Sequence, residues 1–94
     1  EHNGVLMADS AVCEGTVVRA VIAPECVVDA GASVSDALLM EGCQIGAGAR
    51  VVHSVLGVGV IVPSGCDVRH CVVGDGAVLR SGEHYEAEKV EHSP

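Results

Sequence analysis

At 94 residues and 9.5 kDa the chain has room for one small domain and is too short for a two-domain enzyme. Its hydrophobic fraction of 49% includes 1% aromatics, with no Phe, no Trp and Tyr85 alone, against nineteen Val, eleven Ala and twelve Gly; a globule packed around large rings is excluded, and a thin core of β-branched and small side chains is expected. Thirteen acidic residues against five basic ones give a net charge of −8, the wrong sign for releasing counterions from a phosphate backbone, so neither nucleic acid nor an anionic membrane is an expected partner.

Residues 1–4, EHNG, form a short leader without the features of a signal peptide. From residue 5 an internal repeat takes over, and it decides the architecture. The first coil carries Leu6, Val12 and Val18; the second Ile22, Val28 and Val34; the third Leu39, Ile45 and Val51; the fourth Leu56, Val62 and Val68; the fifth Val73 and Leu79. Counterparts lie 17 residues apart, with a step of 16 across the first coil, and within a coil the columns are six, six and five apart. That is a three-sided coil. Four residues after each first-column aliphatic stand the small Ser10, Cys26, Cys43, Val60 and Ala77, placed to share the inward face of a short strand. Glycines recur at two corners, Gly15, Gly31, Gly48, Gly65 and Gly82 at one and Gly42, Gly59 and Gly76 at the other, as turns through positive φ require. The expectation is an all-β parallel β-solenoid over residues 5–82, of nearly five coils, each strand pairing with its counterpart about 4.8 Å away. The remaining residues 83–94 are an acidic tail, either a cap on the last coil or disordered.

The units IGAGAR, LGVGVI, VPSGCD and VGDGAV resemble hexapeptide repeats, the signature of left-handed parallel β-helices; the left hand is implied by this resemblance alone, since the general rule for parallel crossovers gives the right hand. The run from Ser35 to Leu79, with its recurring five-residue side VSDAL, VVHSV and VRHCV, resembles the C-terminal β-helix of nucleotide-sugar pyrophosphorylases such as mannose-1-phosphate guanylyltransferase and glucose-1-phosphate adenylyltransferase. The GxGTRLxPLT-type segment of their nucleotide-binding domain does not occur here. The resemblance therefore implies a non-catalytic assembly or regulatory module, either joined to a nucleotidyltransferase catalytic domain or a free-standing relative, with no cofactor of its own. Hexapeptide acyltransferases set a histidine base near a subunit cleft, and γ-type carbonic anhydrases bind zinc through three histidines; neither motif transfers residue by residue.

Several side chains are candidates for chemistry. Arg19, Asp36, His53 and His70 share one column, three residues before the next first-column aliphatic. His53 and His70 should stack about 5 Å apart on adjacent coils, within reach of one divalent metal, but the column offers no third ligand. The column is read instead as a solvated ladder in which Asp36 pairs with Arg19 or His53, and no stoichiometric metal site is expected. Among five Cys, Cys26, Cys43, Cys66 and Cys71 fall at small inward positions and behave as small hydrophobes. The spacing of Cys26 and Cys43 is compatible with a disulfide. Cys13 should face outward as the most reactive thiol. An odd Cys count without CxxC spacing fits a reducing, cytoplasmic setting. Lastly, Val21, Leu38, Val55 and Val72 precede the first column and should point outward, joined around a corner by Val27, Ile61 and Val78. Such a strip marks an interface between copies, with a closed trimer favoured over dimers and tetramers.

Overall fold

The computed structural model describes residues 4–91. Two- and three-residue strands follow one another around a triangular prism, and the chain rises one strand per side per coil. The first side holds β1 (Leu6–Met7), β4 (Val21–Ile22), β7 (Leu38–Leu39), β10 (Val55–Leu56), β13 (Val72–Val73) and β15 (Lys89–Val90). The second holds β2 (Val12–Cys13), β5 (Val27–Val28), β8 (Gln44–Ile45) and β11 (Ile61–Val62). The third holds β3 (Thr16–Val18), β6 (Ser33–Ser35), β9 (Arg50–Val52), β12 (Asp67–Arg69) and β14 (His84–Glu86). Every pairing is parallel, and from the second coil upward the register steps by 17, as in Val21 with Leu38 and Leu38 with Val55. The fold is thus the three-sided all-β solenoid that the repeat predicts, 35 × 21 × 18 Å in extent, and no helix occurs among the described residues.

Strand alternation sends one residue of each pair inward, and these residues make the core. Ile22, Leu39, Leu56 and Val73 line the first side; Val28, Ile45 and Val62 the second; Val34, Val51 and Val68 the third; all are buried. Burying such a side chain contributes about 1.5–3 kcal/mol, so a column of aliphatics replaces the aromatic core that the composition lacks. Cys26, Cys43 and Cys66 fill the inward small positions, and each thiol donates to the carbonyl fourteen residues ahead: Met40 at 3.1 Å, Gly57 at 3.1 Å and Arg80 at 2.8 Å. A weak donor at that position satisfies a corner carbonyl that alanine would leave to water.

The first coil departs from the predicted register. Met7, Cys13 and Val17 pair with the core residues Ile22, Val28 and Val34, so the inward set is Met7, Cys13 and Val17, and Leu6, Val12 and Val18 point out. The coil is therefore 15 residues long on its first two sides, and the missing pair is the turn between β2 and β3. Gly15 occupies the shortened corner without a left-handed φ; a Cβ there would collide with the carbonyl oxygens of Asp29 and Ala32. Close approach, and not turn geometry, requires this glycine. At the full corners the expected turns do form, with Gly31, Gly48, Gly65 and Gly82 at φ 81, 73, 76 and 74°.

Beyond residue 82 the ladder continues. Tyr85 pairs with Val68 and Val90 with Val73, both buried at the top of the core, and the Tyr85 hydroxyl accepts the Arg80 N–H at 2.9 Å. The segment expected as a tail is a further partial coil through Val90 that closes the upper end of the prism. At the lower end Gly4 already lies against Arg19 at the third corner, while residues 1–3 of the expected leader fall outside the described residues.

Substitution tests the column assignment. Ile45→Asp places an unpaired carboxylate at a fully buried position and should destabilise the fold by at least about 3 kcal/mol, whereas Gln44→Asp on the outward face should change stability by less than about 0.5 kcal/mol. Denaturant melts of the two variants check this, and equal midpoints would refute the inward assignment.

Candidate functional site

The third corner, between the third and first sides, turns without glycine in every coil above Gly4 (φ 72°). Arg19, Asp36, His53, His70 and Ala87 occupy successive coils there with φ of 48, 52, 50, 53 and 54°, a left-handed conformation that asparagine, aspartate and histidine tolerate better than most residues. It is held by the ladder: the N–H groups of Asp36, His53, His70 and Ala87 each reach the carbonyl 18 residues back, on Val18, Ser35, Val52 and Arg69, at 2.9–3.0 Å. Ser54 reinforces the corner from inside, its buried hydroxyl donating to the Val52 carbonyl at 2.9 Å and accepting the Cys71 N–H at 3.1 Å.

Identical backbone conformations on successive coils stack the side chains. Arg19 grips Asp36 with Nε at 2.6 Å and Nη2 at 2.9 Å, and Ser35 adds a third contact at 3.2 Å. The guanidinium hydrogen bond holds the Asp36 carboxyl far below its ordinary range, at about 2. On the other side of Asp36, His53 Nε2 lies 3.6 Å from Oδ2. His53 and His70 then stack with ring centroids 5.0 Å apart and planes 7° from parallel. The structure therefore brings the predicted column together, and Asp36 pairs with both Arg19 and His53. Beside the column a shallow groove of about 430 Å³ runs along Ala20, Val21, Ala37, Leu38 and Val55.

His84 lies elsewhere, on the outer face of the third side, with Nδ1 3.4 Å from Asp67 Oδ2 and Nε2 3.0 Å from Glu86 Oε1. All five cysteines are free, so Cys26 and Cys43 are stacked thiols. Burial pushes the Cys43 thiol up to about 11, which leaves it protonated and unreactive at neutral pH. The outward orientation expected for Cys13 does not hold: it is the inward partner of Val28, packs against the core, and its thiol donates to the Gly15 carbonyl at 3.4 Å. It remains the most accessible of the five thiols.

The apolar strip is present where predicted. Leu6, Val21, Leu38, Val55 and Val72 align in register along the outer face of the first side, a ladder about 19 Å long at the strand spacing. Val27, Ile61 and Val78 line the second side. Of the exposed large hydrophobic residues, Leu6, Val12, Val21, Met40, Val55, Val58, Val72 and Val78 lie on the outer faces of these two sides or the corner between them, and Met7, inward in β1, is exposed in the first coil. Sequence reasoning missed the contribution of that corner, Met40 and Val58, because each stands alone among turn residues. The third side carries Ser33, Ser35, Arg50, Asp67, Arg69, His84 and Glu86 outward, with an Arg69–Asp67 ion pair at 2.9 Å.

Comparison with known proteins agrees with this geometry. The sequence model of the family described as "GlmU-like, C-terminal hexapeptide" matches residues 2–70. The chain belongs to that family. Among solved structures it is similar to a histidine-to-asparagine mutant of perosamine N-acetyltransferase from Caulobacter crescentus, in complex with CoA and GDP-perosamine, with a TM-score of 0.68 and 14% identity over 94% of this chain. The chain spans about half, 49%, of that structure, and at such identity the likeness is one of fold. No curated protein sequence matches.

The Asp36 carboxyl supplies a pH test with a definite sign. Its folded-state value near 2 lies below the unfolded range of about 3.9, so the stabilisation is present above about pH 4 and is lost as pH falls towards 2. Asp36→Asn keeps a residue that tolerates the left-handed corner; it should melt below the wild type at pH 5–7 and converge with it near pH 2. Parallel thermal melts across that range measure the effect, and a constant offset would remove the Arg19–Asp36 contribution.

Proposed function

We propose that this chain is a non-catalytic assembly module, a β-helix that holds copies of itself, and any catalytic domain joined to it, in a closed homo-oligomer. The observation that carries the proposal is the segregation of exposed large hydrophobic side chains onto two adjacent faces and their shared corner. Apolar surface of this extent, broken on the second side by the exposed Gln44, on a protein of net charge −8 is retained against its solvation cost when a partner covers it. A two-fold dimer through the first side alone would leave the second side exposed. A ring in which the first side of one copy meets the second side of the next covers both in every copy, and a trimer is the smallest such ring. Resemblance to nucleotide-sugar pyrophosphorylases makes a nucleotidyltransferase the catalytic domain that such a module would serve, in the cytoplasm.

Analytical ultracentrifugation tests the proposal. The wild type should sediment as a closed oligomer, and Leu38→Lys combined with Val55→Lys should give a folded monomer with an unchanged circular dichroism spectrum. A wild-type chain that is monomeric at high micromolar concentration would overturn it.

A second reading, an acyltransferase with its site between subunits, is favoured by one arrangement: the exposed His53 imidazole faces Asp36, which Arg19 fixes, as a general base faces its orienting carboxylate. The similar solved structure is that of an N-acetyltransferase. Thiol release from acetyl-CoA in the presence of an amino sugar nucleotide, abolished by His53→Ala or His70→Ala, would establish this reading; turnover that both variants retain would remove it.

A further inference from the structure

His53 and His70 are the one pair of imidazoles stacked on successive coils among the described residues, and their surroundings leave them differently engaged from His84. Both take the same left-handed backbone conformation, so their Cα–Cβ bonds run parallel and both rings project from the same edge of the prism into solvent. No cation sits beside His70: the next residue of the column is Ala87, and neighbouring Arg69 is turned to Asp67 at 2.9 Å. The ring of His70 makes no hydrogen bond or ion pair among the described residues. Asp36 is occupied by Arg19 through both oxygens and lies 3.6 Å from His53 Nε2, longer than a hydrogen bond, so no carboxylate hydrogen bond ties up the His53 ring.

We propose that His53 and His70 together bind one divalent transition-metal ion of the imidazole-seeking class, zinc or copper(II). Bonds of about 2.0–2.1 Å to nitrogen place two ligand atoms of one ion within about 4.2 Å of each other. Rings whose centroids are 5.0 Å apart reach that separation by turning about their side-chain torsions, with no change in the ladder that fixes their backbones. Two imidazoles select zinc and copper(II) over magnesium and calcium, which take oxygen ligands. The remaining positions are open to water or to a ligand atom from solution. The net charge of −8 raises the local concentration of cations. This inference is independent of the proposed assembly, because both ligands belong to one chain.

The test is isothermal titration of the full chain with zinc chloride alone. The wild type should bind one zinc per chain, His53→Ala and His70→Ala should each weaken that site at least tenfold, and His84→Ala should leave it unchanged, since both nitrogens of His84 already face carboxylates. Alanine keeps the corner, as Ala87 adopts the same conformation with φ 54°, and circular dichroism confirms it. In the wild type, the ring proton resonances of His53 and His70 should shift together in the same stoichiometric step. Absence of a saturable site, a site lost with His84 and kept without His53, or resonances of only one of the two rings moving would each overturn the proposal.

Discussion

Everything in this molecule depends on in-register stacking of parallel strands: a residue 17 positions ahead sits one strand spacing, about 4.8 Å, above its counterpart. Because the backbone of each coil is the hydrogen-bonding surface for the next, no side chain chooses its neighbours freely. The residue type placed at a given phase of the repeat becomes a column, and a column is either compatible with itself or costly. Valine, isoleucine and leucine stack on themselves at no penalty, which explains a core with almost no aromatic residue. Like charges do not stack well, and the third corner shows the resolution. Arg19 is followed by Asp36, Asp36 by His53, and His53 by a second imidazole that stacks without requiring charge.

The same constraint explains why a left-handed backbone persists at the five non-glycine residues of the third corner. One such residue costs about 1 kcal/mol or more in isolation. Here each of the upper four donates its N–H to the coil below, a contribution of about 0.5–1.5 kcal/mol, and the corner turns in fewer residues than an X-Gly turn. That economy makes the side between the third and first columns five residues long, against six elsewhere. The short side brings the polar column within one residue of the buried Ser54 and Cys71 and within two of the outward valines, so polar ladder and apolar ridge run side by side along the prism.

Columns made most of the fold legible, and pairs of adjacent apolar residues made the rest ambiguous. From Ile22 to Leu79 the inward residues also have apolar neighbours, such as Val21, Leu38, Val55 and Val72, but there the step of 17 is unbroken and assigns the faces correctly. In the first coil the choices were Leu6 or Met7, Val12 or Cys13, and Val17 or Val18. Strand alternation with a period of two cannot separate such neighbours, and a slip of one residue exchanges the faces. The slip placed Cys13 outside. Val17 alone preserves the step of 17 to Val34, which is the signal that resolves it. The last coil was hidden for a different reason: Glu83, Glu86, Glu88 and Glu91 surround Tyr85 and Val90 and give the segment an acidic composition, although both residues lie 17 positions after core valines. Phase carried the information, and composition obscured it. The polar column was legible in full, since its offsets are those of the core, whereas the apolar corner at Met40 and Val58 was not, being made of single residues in unlike turns.

A solenoid of this kind builds sites differently from a globule. No side chain reaches across a cleft within one chain, because the interior is a dry stack and the turns are tight. Chemistry therefore has two sources: columns along an edge, where residues 17 apart act on one ligand, and seams between copies, where the edge of one prism meets the face of another. On the readings proposed above, the third corner would supply the first and the two apolar sides the second, and the column borders the first of those sides. Val21, Leu38 and Val55 line one groove with Arg19 and Asp36, so the ridge and the lower part of the column form one continuous surface. The two proposals are nonetheless separable, because substitutions at Leu38 and Val55 change the apolar ridge, while those at His53 and His70 change the edge.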